Sequence, residues 1–125
     1  MREDRDPLTS TVIGAAIYVH QKLGPGLLES SYEQCLTWAL TARNLTVRRQ
    51  VELPITFEGH RLGAAYRIDL LVSEMLILEI KTVERILPVH EAQLRTYLRL
   101  SGLKTGLLLN FFVPVMKDGI RRMSM

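Results

Sequence analysis

Apolar residues recur near helical spacing from Leu8 to Leu23, where Val12, Ile13, Ala16, Ile17 and Leu23 share a face. Thr9 or Ser10 can cap this segment, and Gly24-Pro25-Gly26 ends it. A second helix is predicted from Glu29 to Arg43, with Leu28, Tyr32, Leu36 and Leu40 as an i, i+4 stripe and Asn44 as its C-terminal cap. The pattern then becomes strand-like. Val47 to Phe57, Leu62 to Val72 and Met75 to Val83 read as an antiparallel meander, with turns at Glu58-Gly59-His60 and Ser73-Glu74. Val89 to Ser101 returns to helical spacing, with Pro88 at its start and Gly102 just past its end. Thr105 to Val113 is apolar throughout, as a central strand should be, and the tail can add a short edge strand around Lys117-Asp118-Gly119. The order α-α-β-β-β-α-β predicts an α/β (α+β) fold, one mixed sheet flanked by helices. Trp38 and Phe57 are assigned to its core.

One stretch breaks the hydrophobic rule. Residues 68–83, IDLLVSEMLILEIKTV, carry Asp69, Glu79 and Lys81 among apolar neighbours, where an uncompensated charge is costly. Alternation puts Glu79 and Lys81 on one face of their strand. A two-residue turn at Ser73-Glu74 sets Asp69 opposite Leu78, beside Glu79 but on the other face; a loop one residue longer, or a bulge, brings the carboxylates together. Two readings follow. Cross-strand salt bridges, Asp69 with Lys81 or Glu79 with Arg67, would neutralise the charges on a solvated face. Alternatively, a divalent cation would relieve the repulsion between adjacent carboxylates, and Lys81 would reach the same pocket. The first is the commoner outcome for a strand pair, but the apolar flanks count against a solvated face.

Composition narrows the class. A chain of 125 residues fits one domain, here 1–125 with a polar arm over 1–8, and can build a core without disulfides. A single cysteine, Cys35, excludes a disulfide framework and a cysteine-based zinc site and suits a cytoplasmic setting. No signal-peptide core is expected in MREDRDPLTS, and no apolar run approaches the ~20 residues of a membrane span. The net charge of +3 says little by itself.

Asp69, nine residues, then Glu79-Ile80-Lys81 resembles the signature of the PD-(D/E)XK nuclease superfamily, although Ile68 stands where that motif has proline. Gly26-Leu27-Leu28-Glu29-Ser30-Ser31-Tyr32 is similar to the motif of its GxxExxY branch, and VHQKLGPGLLES, QVELPITFEG, YRIDLLV, LEIKTV, HEAQLRTYLRLSG and GLLLNF follow that branch in order from about Val12 to Met123. The resemblance implies a restriction-endonuclease-like core. It also implies Mg²⁺ or Mn²⁺ held by Glu29, Asp69, Glu79 and the backbone carbonyl of Ile80, with Lys81 serving the attacking water. Gln93 and Tyr97 resemble the Q-x-x-x-Y pair that supports the active site in some members.

Local alternatives remain for several of these. Glu29 can simply favour a helix N-terminus, or a Ser30–Glu33 capping box can leave it outside the helix. His90 can contact substrate or cap the third helix. Arg67 and Arg95 are candidate phosphate contacts, as are Arg85 and Arg99, and all four can equally be solvated charges. With three acids assigned to a cation, sixteen basic groups face ten acidic ones elsewhere, which favours a polyanion. The expected activity is metal-dependent hydrolysis of phosphodiester bonds in nucleic acid, DNA ahead of RNA, with no membrane and a possible homodimer. The rival is a non-catalytic module that keeps the fold and binds nucleic acid or protein.

Overall fold

A computed structural model describes residues 6–63 and 66–125. Residues 1–5 of the expected arm, and 64 and 65 of the expected second strand, lie outside the described residues. Helix α1 spans Pro7–Leu23. Its cap is Asp6 rather than Thr9 or Ser10: Asp6 Oδ1 accepts the Thr9 N–H at 2.7 Å, and Pro7 occupies the first turn, where no donor is needed. Helix α2 spans Glu29–Thr41 and ends at Ala42. Asn44 instead takes a left-handed conformation in the following turn (φ 66°). Tyr32, Leu36 and Leu40 are buried, whereas Leu28 precedes the helix and is exposed.

Strands β1 (Val47–Glu52), β4 (Arg67–Val72) and β5 (Leu76–Lys81) form the meander. Between β1 and β4 the chain makes a separate small hairpin, β2 (Thr56–Phe57) and β3 (His60–Arg61), turning at Glu58-Gly59 with both residues at positive φ. The predicted long strands stop early because the Glu52–Arg67 pair ends the main ladder and this hairpin pairs only with itself. Phe57 is therefore 66% exposed, and Trp38 is exposed on the outer side of α2. Neither belongs to the core. Helix α3 (Pro88–Ser101), closed by Gly102 at φ 77°, carries the chain to β6 (Thr105–Asn110). A short 3-10 helix, Met116–Gly119, occupies the region of the expected edge strand, and the true edge is β7 (Ile120–Ser124).

The five-stranded sheet has the order β1-β4-β5-β6-β7, with β5 and β6 parallel and every other neighbour antiparallel. Both faces of β5 and β6 are covered, which explains their continuous apolar sequence. Helices α1 and α2 pack Val12, Ala16, Leu36 and Leu40 against Leu70, Leu78 and Leu107 on one face. Helix α3 packs Leu94, Tyr97 and Leu98 against Leu71, Ile77 and Leu108 on the other. A Cβ at Gly106 would come within 2.8 Å of the Leu94 Cδ1, so the absence of a side chain there leaves room for Leu94 of α3 against β6. No helix of the described residues is long and apolar enough to cross a membrane.

Candidate active site

The turn after β4 determines whether Asp69 and Glu79 can meet. Ser73 and Glu74 both lie in the left-handed region (φ 53° and 57°), and the Met75 N–H closes the turn on Val72 O at 3.0 Å. The loop thus holds three residues rather than two, and Val72, Leu71 and Leu70 pair with Leu76, Ile77 and Leu78. This register is one residue away from that of a two-residue turn. It brings Asp69 level with Glu79 on the α3 side of the sheet.

The β4–β5 ladder stops after Leu70–Leu78. Side chains replace the missing backbone bonds. The Asp69 N–H donates to Glu79 Oε2 at 3.0 Å, and the Ile80 N–H donates to Asp69 Oδ2 at 2.8 Å. Two carboxylates therefore share the gap between separating strands. Glu79 is only 4% exposed. Burial, reinforced by the charge on Asp69, pushes its pKa up to about 8. Burial also raises Asp69, partly offset by the Ile80 N–H. Lys81, half-buried two residues along the same face, pulls both downward. Among the described residues no ion pair joins Asp69, Glu79 or Lys81 to a partner, so neither expected salt bridge forms.

A family model for the PD-(D/E)XK nuclease superfamily matches residues 6–123. The chain belongs to that superfamily. No curated protein and no solved structure matches it.

Asp69, Glu79 and Lys81 are the residues whose spacing resembles the superfamily's acidic pair and lysine. The pair fits a hard divalent cation: the carboxylates are adjacent, Glu79 is buried and Asp69 half-buried, and burial holds Glu79 well above the usual carboxylate range, which a cation's charge would offset. Among the described residues no group of three or more Asp, Glu, His or Cys side chains closes on a metal position. Glu29 does not complete such a set. It is the first residue of α2, and its Oε2 accepts the Thr82 N–H at 3.2 Å, so it ties the helix to the chain just beyond Lys81. Glu29 lies within the helix and accepts no capping-box bond.

Helix α3 brings Gln93 and Tyr97 together, Gln93 Nε2 donating to Tyr97 Oη at 3.1 Å. Burial raises the Tyr97 pKa, and the charges of Glu79 and Asp69 raise it further, so the Tyr97 hydroxyl lies within their electrostatic reach. His90 stands apart in this respect. Its Nδ1 accepts the Leu87 N–H at 2.9 Å and caps the helix. Arg67 and Arg95 are both exposed, Arg67 two residues before Asp69 and Arg95 on the outer side of α3.

Three further polar residues lie in this region, of which only Glu33 was picked out from the sequence, and that as a helix cap. Glu33 is 7% exposed and accepts Arg49 Nε at 3.0 Å and Gln50 Nε2 at 2.8 Å. Its position one turn after Glu29 was the available signal. Gln50 also reaches Asp69 Oδ1, at 3.4 Å. Asn110, at the end of β6, accepts the Val83 and Phe112 N–H groups and donates to Val83 O at 2.8 Å. It clamps the segment that follows Lys81, and a polar residue closing the run GLLLN marked it.

Proposed function

We propose that this chain is a metal-dependent nuclease that hydrolyses phosphodiester bonds. The observation that carries this reading is the interrupted β4–β5 ladder, where Asp69 and Glu79 meet in the gap with Lys81 alongside. Asp69, Glu79 and the Ile80 carbonyl would hold Mg²⁺ or Mn²⁺. When bound, such a cation lowers the pKa of water and neutralises charge on a phosphate. The Lys81 ammonium, held by the Asn110-clamped segment, orients the attacking water and steadies the non-bridging phosphate oxygen. Tyr97, positioned by Gln93, donates a hydrogen bond into the same space. Arg67 supplies a phosphate contact from the start of β4. Phe57 supports a polymer substrate: it stands exposed on a hairpin leaving the site end of the sheet, where a base can stack on it.

The GxxExxY assignment is part of this reading. Tyr32 gives the motif a physical reason. Its ring stacks on Phe111 with centroids 4.4 Å apart, while its hydroxyl accepts the Leu27 N–H at 3.1 Å and donates to Gly24 O. The tyrosine therefore pins the glycine turn that delivers Glu29 to the end of β5.

The test uses labelled DNA and RNA, single- and double-stranded, with Mg²⁺ or Mn²⁺, beside Glu79→Ala and Lys81→Ala. Cleavage by the wild type that is lost in both variants supports the reading. Cleavage that persists in both sinks the assigned site. No cleavage of any substrate, together with no Mn²⁺-induced thermal shift, replaces the nuclease reading with the binding module.

A further inference from the structure

The row Gln50–Asp69 is where β1 and β4 exchange faces. Val47 packs against the α1–α2 core, yet Val51, four residues on, packs against the α3 core. In an unbroken strand both would face the same side. The partner strand does likewise: Leu70 and Val72 belong to the first core and Ile68 to the second. The exchange coincides with Gln50, whose φ of 51° is left-handed, and the flanking pairs Arg49–Leu70 and Val51–Ile68 keep their register. A non-glycine residue in that region is strained and persists only where its surroundings impose it. The exchange also opens the site to both layers, to Glu33 from α2 and to Tyr97 from α3.

The side chain of Gln50 occupies this crossing. Its amide has two hydrogens. One is donated to Glu33 Oε1 at 2.8 Å and the other points to Asp69 Oδ1 at 3.4 Å. Glu33 is a fixed anchor, because Arg49 takes its second oxygen. Asp69 Oδ2 already accepts the Ile80 N–H, so a contact at Oδ1 sets the remaining freedom, rotation of the carboxylate about its last bond.

We propose that Gln50 is a positioning residue that, anchored on Glu33, fixes the orientation of the Asp69 carboxylate. The consequence for cation binding rests on the nuclease reading; the orientation of Asp69 does not. Gln50→Gly relieves the left-handed backbone while removing the amide, and Gln50→Asn tolerates that backbone but is one methylene too short. A purely structural Gln50 would let both variants bind Mn²⁺ as the wild type does. The expected result is a Tm equal to or above wild type for Gln50→Gly, with Mn²⁺ affinity, read by electron paramagnetic resonance, weakened by about tenfold in both. A second arm needs no metal. In EDTA, the unfolding constants of Gln50→Gly, Asp69→Ala and the double variant should be non-additive by about threefold or more. Additive effects in EDTA, or wild-type Mn²⁺ affinity in both variants, would overturn the proposal. A wild type that binds no Mn²⁺ would instead sink the nuclease reading and leave the EDTA arm to decide the role of Gln50.

Discussion

Glu79 makes the metal-free protein sensitive to pH in a direction opposite to that of most carboxylates. The perturbation is Glu79→Gln, which keeps the shape and removes the titration. Folding moves the carboxyl from its ordinary 4.5 to about 8. Each tenfold change in proton affinity is worth about 1.4 kcal/mol. The displacement thus corresponds to about 4 to 5 kcal/mol, and it titrates jointly with Asp69. The folded state binds the proton more tightly than the unfolded chain does. The contribution of Glu79 to stability is therefore fully present below pH 4.5 and is lost as pH rises through 8. The assay is chemical denaturation in EDTA from pH 5 to 8.5. Differences between wild type and Glu79→Gln cancel the groups they share. Relative to the variant, the wild type should lose several kcal/mol across this range. Saturating Mn²⁺ at pH 8 should restore the wild type and leave Glu79→Gln unmoved. Parallel stability curves for the two proteins in EDTA would refute the reasoning, because a carboxyl as buried as Glu79 beside Asp69 could not then be carrying a shared proton.

Other expectations concern the surroundings of the site. Gly119→Ala should cost at least about 2–3 kcal/mol, because a Cβ there would overlap the Asn110 carbonyl oxygen, and a backbone group cannot yield as a side chain can; thermal denaturation reads this directly. Asn110→Ala leaves two N–H groups and a carbonyl of the surrounding backbone without their partner, and should lower stability by about 2–4 kcal/mol and lower kcat more than it raises KM, since the released Val83 lies two residues after Lys81. Phe57→Ala should leave Tm unchanged and weaken binding of a single-stranded oligonucleotide by about 5- to 100-fold, measured by fluorescence anisotropy without a cation; equal affinity would remove the hairpin from the substrate path.

What the sequence carried and what it hid divide along a physical line. Periodicity located α1, α2, α3, β5 and β6 to within a few residues, because each buries a regular face or is buried on both. It missed where strands stop. In the run from Val47 to Phe57 only Pro54, which cannot donate to a ladder, hints that the main ladder ends at Glu52, since a strand boundary depends on the partner's geometry as much as on its own residues. The same limit misassigned Phe57: an aromatic in a β-rich segment reads as core unless the segment leaves the sheet. Likewise, an acidic pair and a lysine at the right spacing were visible, but the geometry that brings Asp69 level with Glu79 was not. That geometry depends on three residues with left-handed backbone and no glycine among them, Gln50, Ser73 and Glu74. Ser73 and Glu74 lengthen the turn and set the register that aligns Asp69 with Glu79. Gln50 lies where β1 and β4 exchange faces, and its amide links Glu33 of α2 to the Asp69 carboxylate. Residues that adopt φ > 0 without being glycine leave almost no mark on composition or period. In this fold they decide which face Asp69 and Glu79 occupy, and hence whether the two carboxylates meet or stand on opposite sides of the sheet.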